Sequence, residues 1–333
     1  GVTIDTGGAD LKTGGAMFGM SRDKYGSAVV AGFFKALEAL RPKGIKAVGY
    51  MCMVRNSIGA DSYTCDEIIK ARSGKRIHIY CTDAEGRITM LDPLTKMREM
   101  VLNEKNPHLF TLATLTGHAF LSKGYYASVI DNGPAHEVRF AETIQKYGDE
   151  YGQPTEISRL HPEDYAFHEA ESECADLRQG NTKPSVQTIR GHQGPAAFLI
   201  RASRLDEHGT DSTLPIKFSH IDIGSAMGDY PHVTYPNPLV ALLSTGYIKH
   251  EINKMKQCER DESSIIRNFD RNTASLQHTN RNRPNSQKLL ARKRDSIKHH
   301  TRMLMIEHTL VESKGFDVGS SKLRGLLAAF NDD

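Results

Sequence analysis

Two acidic clusters stand out as residues able to do chemistry. The first is Asp5-Thr6-Gly7-Gly8-Ala9-Asp10-Leu11-Lys12, with Asp23 following inside Met20-Ser21-Arg22-Asp23-Lys24. The second is Thr82-Asp83-Ala84-Glu85-Gly86-Arg87. Each follows a stretch that reads as a strand. In a largely parallel sheet the carboxyl ends of the strands lie along one edge, where ligands bind, so carboxylates from separate segments can converge there. Asp83 and Glu85, two apart in a segment expected to be extended, should project to one side. Carboxylates crowded together repel one another unless a cation sits among them. Two divalent ions about 3.5–4 Å apart would neutralise such a cluster and activate a water. The same residues also fit solvated loop carboxylates and helix caps, and the pattern alone does not choose between the two.

A resemblance does choose. Cys81-Thr82-Asp83-Ala84-Glu85-Gly86-Arg87-Ile88 is similar to the signature octapeptide Asn-Thr-Asp-Ala-Glu-Gly-Arg-Leu of the leucyl (cytosol) aminopeptidase family of metallopeptidases. Asp5-Thr6-Gly7-Gly8, Lys12, Asp23, Ala113-Thr114-Leu115-Thr116-Gly117 and His220-Ile221-Asp222-Ile223 keep the expected spacing. The resemblance covers residues 1–247, and Gln187–Pro195 suggests a divergent eukaryotic branch.

The resemblance implies roles residue by residue. Asp5, Asp23, Asp83 and Glu85 match metal ligands for two divalent ions, Zn or Mn, with Mg also suited to an oxygen-rich site. Lys12 matches the lysine that polarises the scissile carbonyl. Arg87 matches an arginine holding a bicarbonate that acts as general base. Thr114, Leu115 and Gly117 match the substrate-binding loop, and Met20 a wall of the pocket for the first side chain. The implied substrates are peptides with a free N-terminus, and the implied assembly is a hexamer of two stacked trimers in the cytoplasm. Two departures accompany this. Cys81 replaces an asparagine. A further lysine ligand, five residues before Asp5, falls just upstream of Gly1, as does the family's N-terminal domain. One tight and one weak cation are therefore expected for residues 1–333 alone.

The elements that must position these residues alternate. Val2–Asp5 reads as a strand end running into a glycine turn. A helix is expected over 21–40, where Val29, Val30, Phe33, Phe34, Leu37 and Leu40 recur at three-to-four spacing. The apolar run 45–54 reads as a buried parallel strand. Further strands are expected at 76–80, 108–115, 125–131 and 217–223, and helices at 90–103, 134–148, 160–175, 193–204 and 237–244. This alternation predicts an α/β fold whose mixed, largely parallel sheet is covered by helices on both faces.

Composition agrees. The chain has 333 residues with 38% hydrophobic content, and no run reaches the roughly 18 apolar residues of a membrane span. It opens on Gly and shows no signal-peptide pattern. With five cysteines and no CxxC, free thiols in a reducing compartment are expected. His192, His220 and His299-His300 are possible metal ligands that an oxygen-rich site does not need, and His220, set in a strand, reads as structural. Gly7-Gly8 and Gly14-Gly15 match no phosphate-binding motif.

The character changes at Lys249. From there to the end the chain carries 17 Lys+Arg against 11 Asp+Glu, whereas residues 1–248 carry 26 against 29. The expected organisation is a catalytic domain at 1–248 and a basic, low-order extension at 249–333, with 249–301 too polar to offset its ordering entropy. Two rival functions follow from these features: an inactive scaffold of the same fold, and nucleic-acid binding through the tail, where Arg292-Lys293-Arg294 lies. The acidic body makes nucleic acid a poor main partner. A chain ending at Tyr247 should match the full chain in heat stability, and protease should cut the long form first just after Lys249. Slow digestion across 249–301 would contradict this.

Overall fold

The computed structural model describes residues 1–42, 44–224 and 237–245. In chain order the strands are β1 (Ile4–Asp5), β2 (Arg55–Asn56), β3 (Ile68–Lys70), β4 (Arg76–His78), β5 (His108–Ala113), β6 (Ala127–Asp131), β7 (Thr155–Ser158), β8 (Leu177–Arg178) and β9 (Lys217–Asp222). The helices are α1 (Tyr25–Leu40), α2 (Glu85–Val101), α3 (Gly117–Lys123), α4 (Gly133–Glu137), α5 (Phe140–Glu150), α6 (Pro162–Ala166), α7 (Gln193–Ala202) and α8 (Leu239–Leu243). The expected α/β class holds. Pairing is mostly parallel but is divided among three sheets: β1-β2, β3-β4-β8 and β5-β9-β6-β7. Only β3 with β4 and β6 with β9 run antiparallel among the described residues.

The four-stranded sheet separates two apolar layers. Alternation along β9 sends Phe218 into a cluster with Leu91, Leu94, Phe198 and Leu199 of α2 and α7. Ile221 enters the opposite cluster with Val29, Ala141, Ile144 and Leu242 of α1, α5 and α8. Helices therefore cover both faces, and β9 reads as a nearly continuous buried strand for that reason. Helix α1 ends where Arg41 turns left-handed (φ 45°) and returns its N–H to Leu37, with Pro42 barring continuation. Its first turn lies so close to β5 that a Cβ on Gly26 would stand 2.2 Å from the Leu112 carbonyl oxygen. Glycine is required there by that approach.

Several expectations change in the structure. The run 45–54 forms no strand, and Val48, Tyr50, Met51, Met53 and Val54 are exposed. Its backbone bonds to the β1 segment, where Thr3 N donates to Val54 O at 2.6 Å, while Tyr50 reaches Met100 and Lys96 of α2. With no described strand on its other side, its apolar composition is not matched by two-sided burial. The helix expected over 134–148 is two helices, broken where Arg139 takes a positive φ of 54°. That over 160–175 contracts to α6. Helix α2 begins at Glu85 rather than 90 and contains Pro93. β3, β7, β8 and α3 carry too few periodic residues to be read from sequence. The tail from residue 249, with His299-His300 and Arg292–Arg294, lies outside the described residues. Among those described, no helix is long and apolar enough to cross a membrane, and Cys52, Cys65, Cys81 and Cys174 are free.

His220 sits in the middle of β9, fully buried, with Nδ1 hydrogen-bonded to Thr111 Oγ1 at 2.8 Å. Burial, and then the charges of His192 and Arg87, push its pKa down to about 3. The folded state thus holds it neutral while the unfolded chain takes up a proton near pH 6.5. Its contribution is complete above pH 6.5 and is lost progressively as the pH falls toward 3. Urea unfolding at pH 7.5 and pH 5 should show this. The acid loss should be smaller in His220→Gln by about 2 kcal/mol, at about 1.4 kcal/mol per pH unit. Equal losses in both proteins would refute it.

Candidate metal centre

β1 ends at Asp5, and Gly7 and Gly8 turn the chain back with positive φ of 89° and 64°. A Cβ on Gly7 would stand 2.2 Å from the Asp10 carbonyl oxygen, so only glycine fits this fold-back. The turn returns Lys12 to Asp5: Lys12 N donates to Thr6 O at 2.8 Å, and Lys12 Nζ lies 3.1 Å from Asp5 Oδ2 and 2.5 Å from Asp83 Oδ1. Burial lowers the lysine's pKa, but the ion pairs with Asp83 and Asp5 outweigh it and hold the ammonium firmly protonated.

The octapeptide is not extended, as its spacing had suggested. Thr82–Ala84 form one 3₁₀ turn and Glu85 opens α2. The turn is nevertheless held tightly. Thr82 N donates to Asp10 Oδ2 at 2.7 Å, Thr82 Oγ1 to Gly7 O at 2.6 Å, and Asp10 N to Thr82 Oγ1 at 2.8 Å. From the other side Gln179 Oε1 accepts from the Tyr80 and Cys81 amides, each at 3.1 Å, and Gln179 Nε2 donates to Ala84 O at 2.9 Å. Ligand oxygens of Asp5, Asp83 and Glu85 consequently lie within 4.8 Å of one another. Asp23 stands outside this trio but lines the same cavity, and its Oδ1 is buried without a hydrogen-bond partner.

The single ammonium of Lys12 compensates the charges in this cluster only in part. Burial, then the charges of Asp5 and Asp83, push Glu85 up to about 8. Burial also raises Asp83 against the pull of Lys12, and raises Asp23 against Thr114 and Lys12. An oxygen-rich set of carboxylates with one orphaned acceptor and a single ammonium fits hard or borderline divalent cations. Arg87 is half-buried, and its pKa is lowered to about 10 by desolvation; Nη1 donates to Gln179 O at 2.9 Å, and the buried Nε has no partner. An unsatisfied guanidinium N–H beside a cavity suits a small anion.

One cavity of about 550 Å³ is lined by every site residue expected from the sequence: Asp5, Lys12, Met20, Asp23, Asp83, Glu85, Arg87, Thr114, Leu115 and Gly117. The loop from Thr114 to Gly117 is pinned from β9. Asp222 accepts from Leu115 N at 3.3 Å and from Thr116 Oγ1 at 2.7 Å. His192 and His220 do not line the cavity. His192 is hydrogen-bonded to Ser158 Oγ at 2.8 Å and to His118 Nδ1 at 2.7 Å, in keeping with a structural role. Cys81 lines the cavity as a protonated thiol, pushed up to about 11 by burial. Sequence reasoning missed Asn56, Gln179 and Asp222 as supports, and gave Asp10 no role. Asn56 and Gln179 lie in polar stretches without periodicity. The alternation of β9, which places Asp222 beside the loop, was the signal available for that residue.

Comparisons with known proteins agree with this geometry. Residues 1–239 match the model of the cytosol aminopeptidase family, catalytic domain. A Caenorhabditis elegans protein named "Putative aminopeptidase W07G4.4" is 71% identical over 75% of this chain and 48% of its own length. The "Probable cytosol aminopeptidase" of Aquifex aeolicus is 36% identical over 67% of this chain and 41% of its own. The chain thus spans about half the length of the curated relatives it matches. The apo structure of leucyl aminopeptidase from Trypanosoma cruzi superposes with a TM-score of 0.60 at 24% identity, over 74% of this chain and 45% of that one, a likeness of fold. With the acidic trio, Lys12 and the Thr114–Gly117 loop gathered in one cavity of that fold, and the family's catalytic-domain model matching 1–239, this chain belongs to the cytosol aminopeptidase family.

Proposed function

We propose that the chain is the catalytic part of a metal-dependent aminopeptidase that hydrolyses the N-terminal peptide bond of peptides. The observation that carries this is the convergence of Asp5, Asp83 and Glu85, with Asp23, on one wall of the cavity that also holds Lys12, Arg87 and the Thr114–Gly117 loop. Asp5, Asp23, Asp83 and Glu85 would hold two divalent cations, Zn or Mn. Such a pair supplies Lewis acidity and an activated water, and takes the substrate's free α-amine.

The rest of the chemistry belongs to the chain's own side chains. Lys12 lies at the same carboxylates and presents an ammonium to the oxygen of the scissile carbonyl. As charge develops on that oxygen, a fixed cation in a water-poor site favours the transition state over the ground state. Arg87, with its spare N–H, would retain a bicarbonate as general base. Leu115 and Met20 form apolar wall for the first side chain, and the backbone from Thr114 to Gly117 orients the peptide, kept in place by Asp222. A cytosolic location and a hexameric assembly are part of the proposal, the first following the names of the relatives.

A second reading has its own support. Lys12 already bridges Asp5 and Asp83, and such an ammonium compensates the cluster without a metal, as an inactive scaffold would require. Two substitutions, made in a protein extended to its relatives' full length, separate the readings. Glu85→Ala should abolish tight binding of Mn²⁺ or Zn²⁺ in calorimetry and reduce hydrolysis of leucine amide by about 10³-fold, the cost of losing a central electrostatic element. Lys12→Met should lose hydrolysis comparably yet bind the cation at least as tightly, because it removes the competing charge. A wild-type chain that binds neither ion supports the scaffold.

A further inference from the structure

We infer that Asn56 is a positioning residue that presets the metal cluster by assigning one oxygen of each of two carboxylates to the protein. The inference rests on the metal-site reading above. Asn56 is buried at the end of β2 and stands in register with Asp5 across the parallel β1-β2 pair. Its main chain is fixed by Thr6, whose N and Oγ1 donate to Asn56 O at 2.9 and 3.0 Å. From that anchored position Nδ2 reaches three acceptors on two other segments: Asp5 Oδ1 at 2.8 Å, Thr82 O at 3.0 Å and Glu85 Oε2 at 3.2 Å.

An amide nitrogen carries two hydrogens, so three acceptors share two donors. Two of these acceptors are anionic, which strengthens the bonds. Gly7 N donates to the same Asp5 Oδ1 at 2.8 Å, while Asp5 Oδ2 faces Lys12. Oδ1 of Asp5 and Oε2 of Glu85 therefore accept from neutral donors, which directs the other two oxygens to positive charge: Oδ2 of Asp5, paired here with Lys12, and Oε1 of Glu85. The residue type matters. An aspartate here would add a further carboxylate to a crowded site. A lysine would add a second ammonium and compete with the ion. Asparagine supplies donors without net charge, and it ties β1, the 3₁₀ turn and the start of α2 to a single point. Partners of this kind, which orient ligands without touching the metal, typically cost about 10–100-fold in metal affinity when removed.

The test is Mn²⁺ titration of the metal-free full chain by calorimetry, with urea unfolding in parallel, for wild type, Asn56→Ala and Asn56→Ser. The serine variant leaves a smaller void and guards against collapse of the alanine variant. The expected result is wild-type binding and a loss of affinity of at least about tenfold in either variant, at pH 7 and with the folded baseline retained. Reduced urea stability at unchanged Mn²⁺ affinity would make Asn56 a packing residue and overturn the assignment. A wild-type chain that binds no Mn²⁺ would instead overturn the metal reading beneath it, and the assignment with it.

Discussion

The structure around the cavity depends on one constraint: three carboxylates, two of them half-buried and Asp83 more open to solvent, have been brought within 4.8 Å of one another from two separate parts of the sequence. Burial, and then the neighbouring charges, push the pKa values of Asp83 and Glu85 up. What surrounds them answers that cost. Lys12 is delivered by a turn only glycines can make. Asn56 donates to two of the three carboxylates. Asp10 and Gln179 hold the 3₁₀ turn from opposite sides, so Asp83 cannot relax away from Asp5. On the proposed reading, a site held together in this way against its own repulsion is preorganised for a cation.

The four-stranded sheet serves the same end from further away. β5 runs out at Ala113, directly into the Thr114–Gly117 loop, and β9 runs beside it in parallel register to Asp222. The carboxylate of Asp222 therefore meets the loop at the strand ends, where a parallel pair opens its ligand-binding edge. Burial on both faces, by α2 and α7 on one side and α1, α5 and α8 on the other, makes that edge rigid. Phe218 and Ile221, three positions apart in β9 and so in opposite clusters, show the arrangement in two residues.

Much of this was legible in the sequence, unevenly. Residues with fixed chemistry at fixed spacing, namely Asp5 to Lys12 and Asp83 to Arg87, pointed to the site because carboxylates and cations leave a recognisable pattern. Helix α1 was legible because its apolar spacing is regular over four turns. The run 45–54 misled because apolar composition was taken for two-sided burial, which its neighbours do not provide. The octapeptide misled locally: a two-residue spacing reads as extended, whereas a 3₁₀ turn running into a helix brings Asp83 and Glu85 together just as well. Asn56 and Gln179 were illegible because each acts through a single side-chain amide whose partners lie far away in sequence.

The most direct test of the central claim is anomalous diffraction from crystals of the full chain soaked in Zn²⁺. The account predicts a peak within about 2.0–2.2 Å of oxygens from Asp5, Asp83 and Glu85, with Lys12 Nζ withdrawn from at least one of its two carboxylate partners. No peak at saturating Zn²⁺, with Lys12 still bridging Asp5 and Asp83, would contradict it and leave the lysine as the cluster's permanent counter-charge.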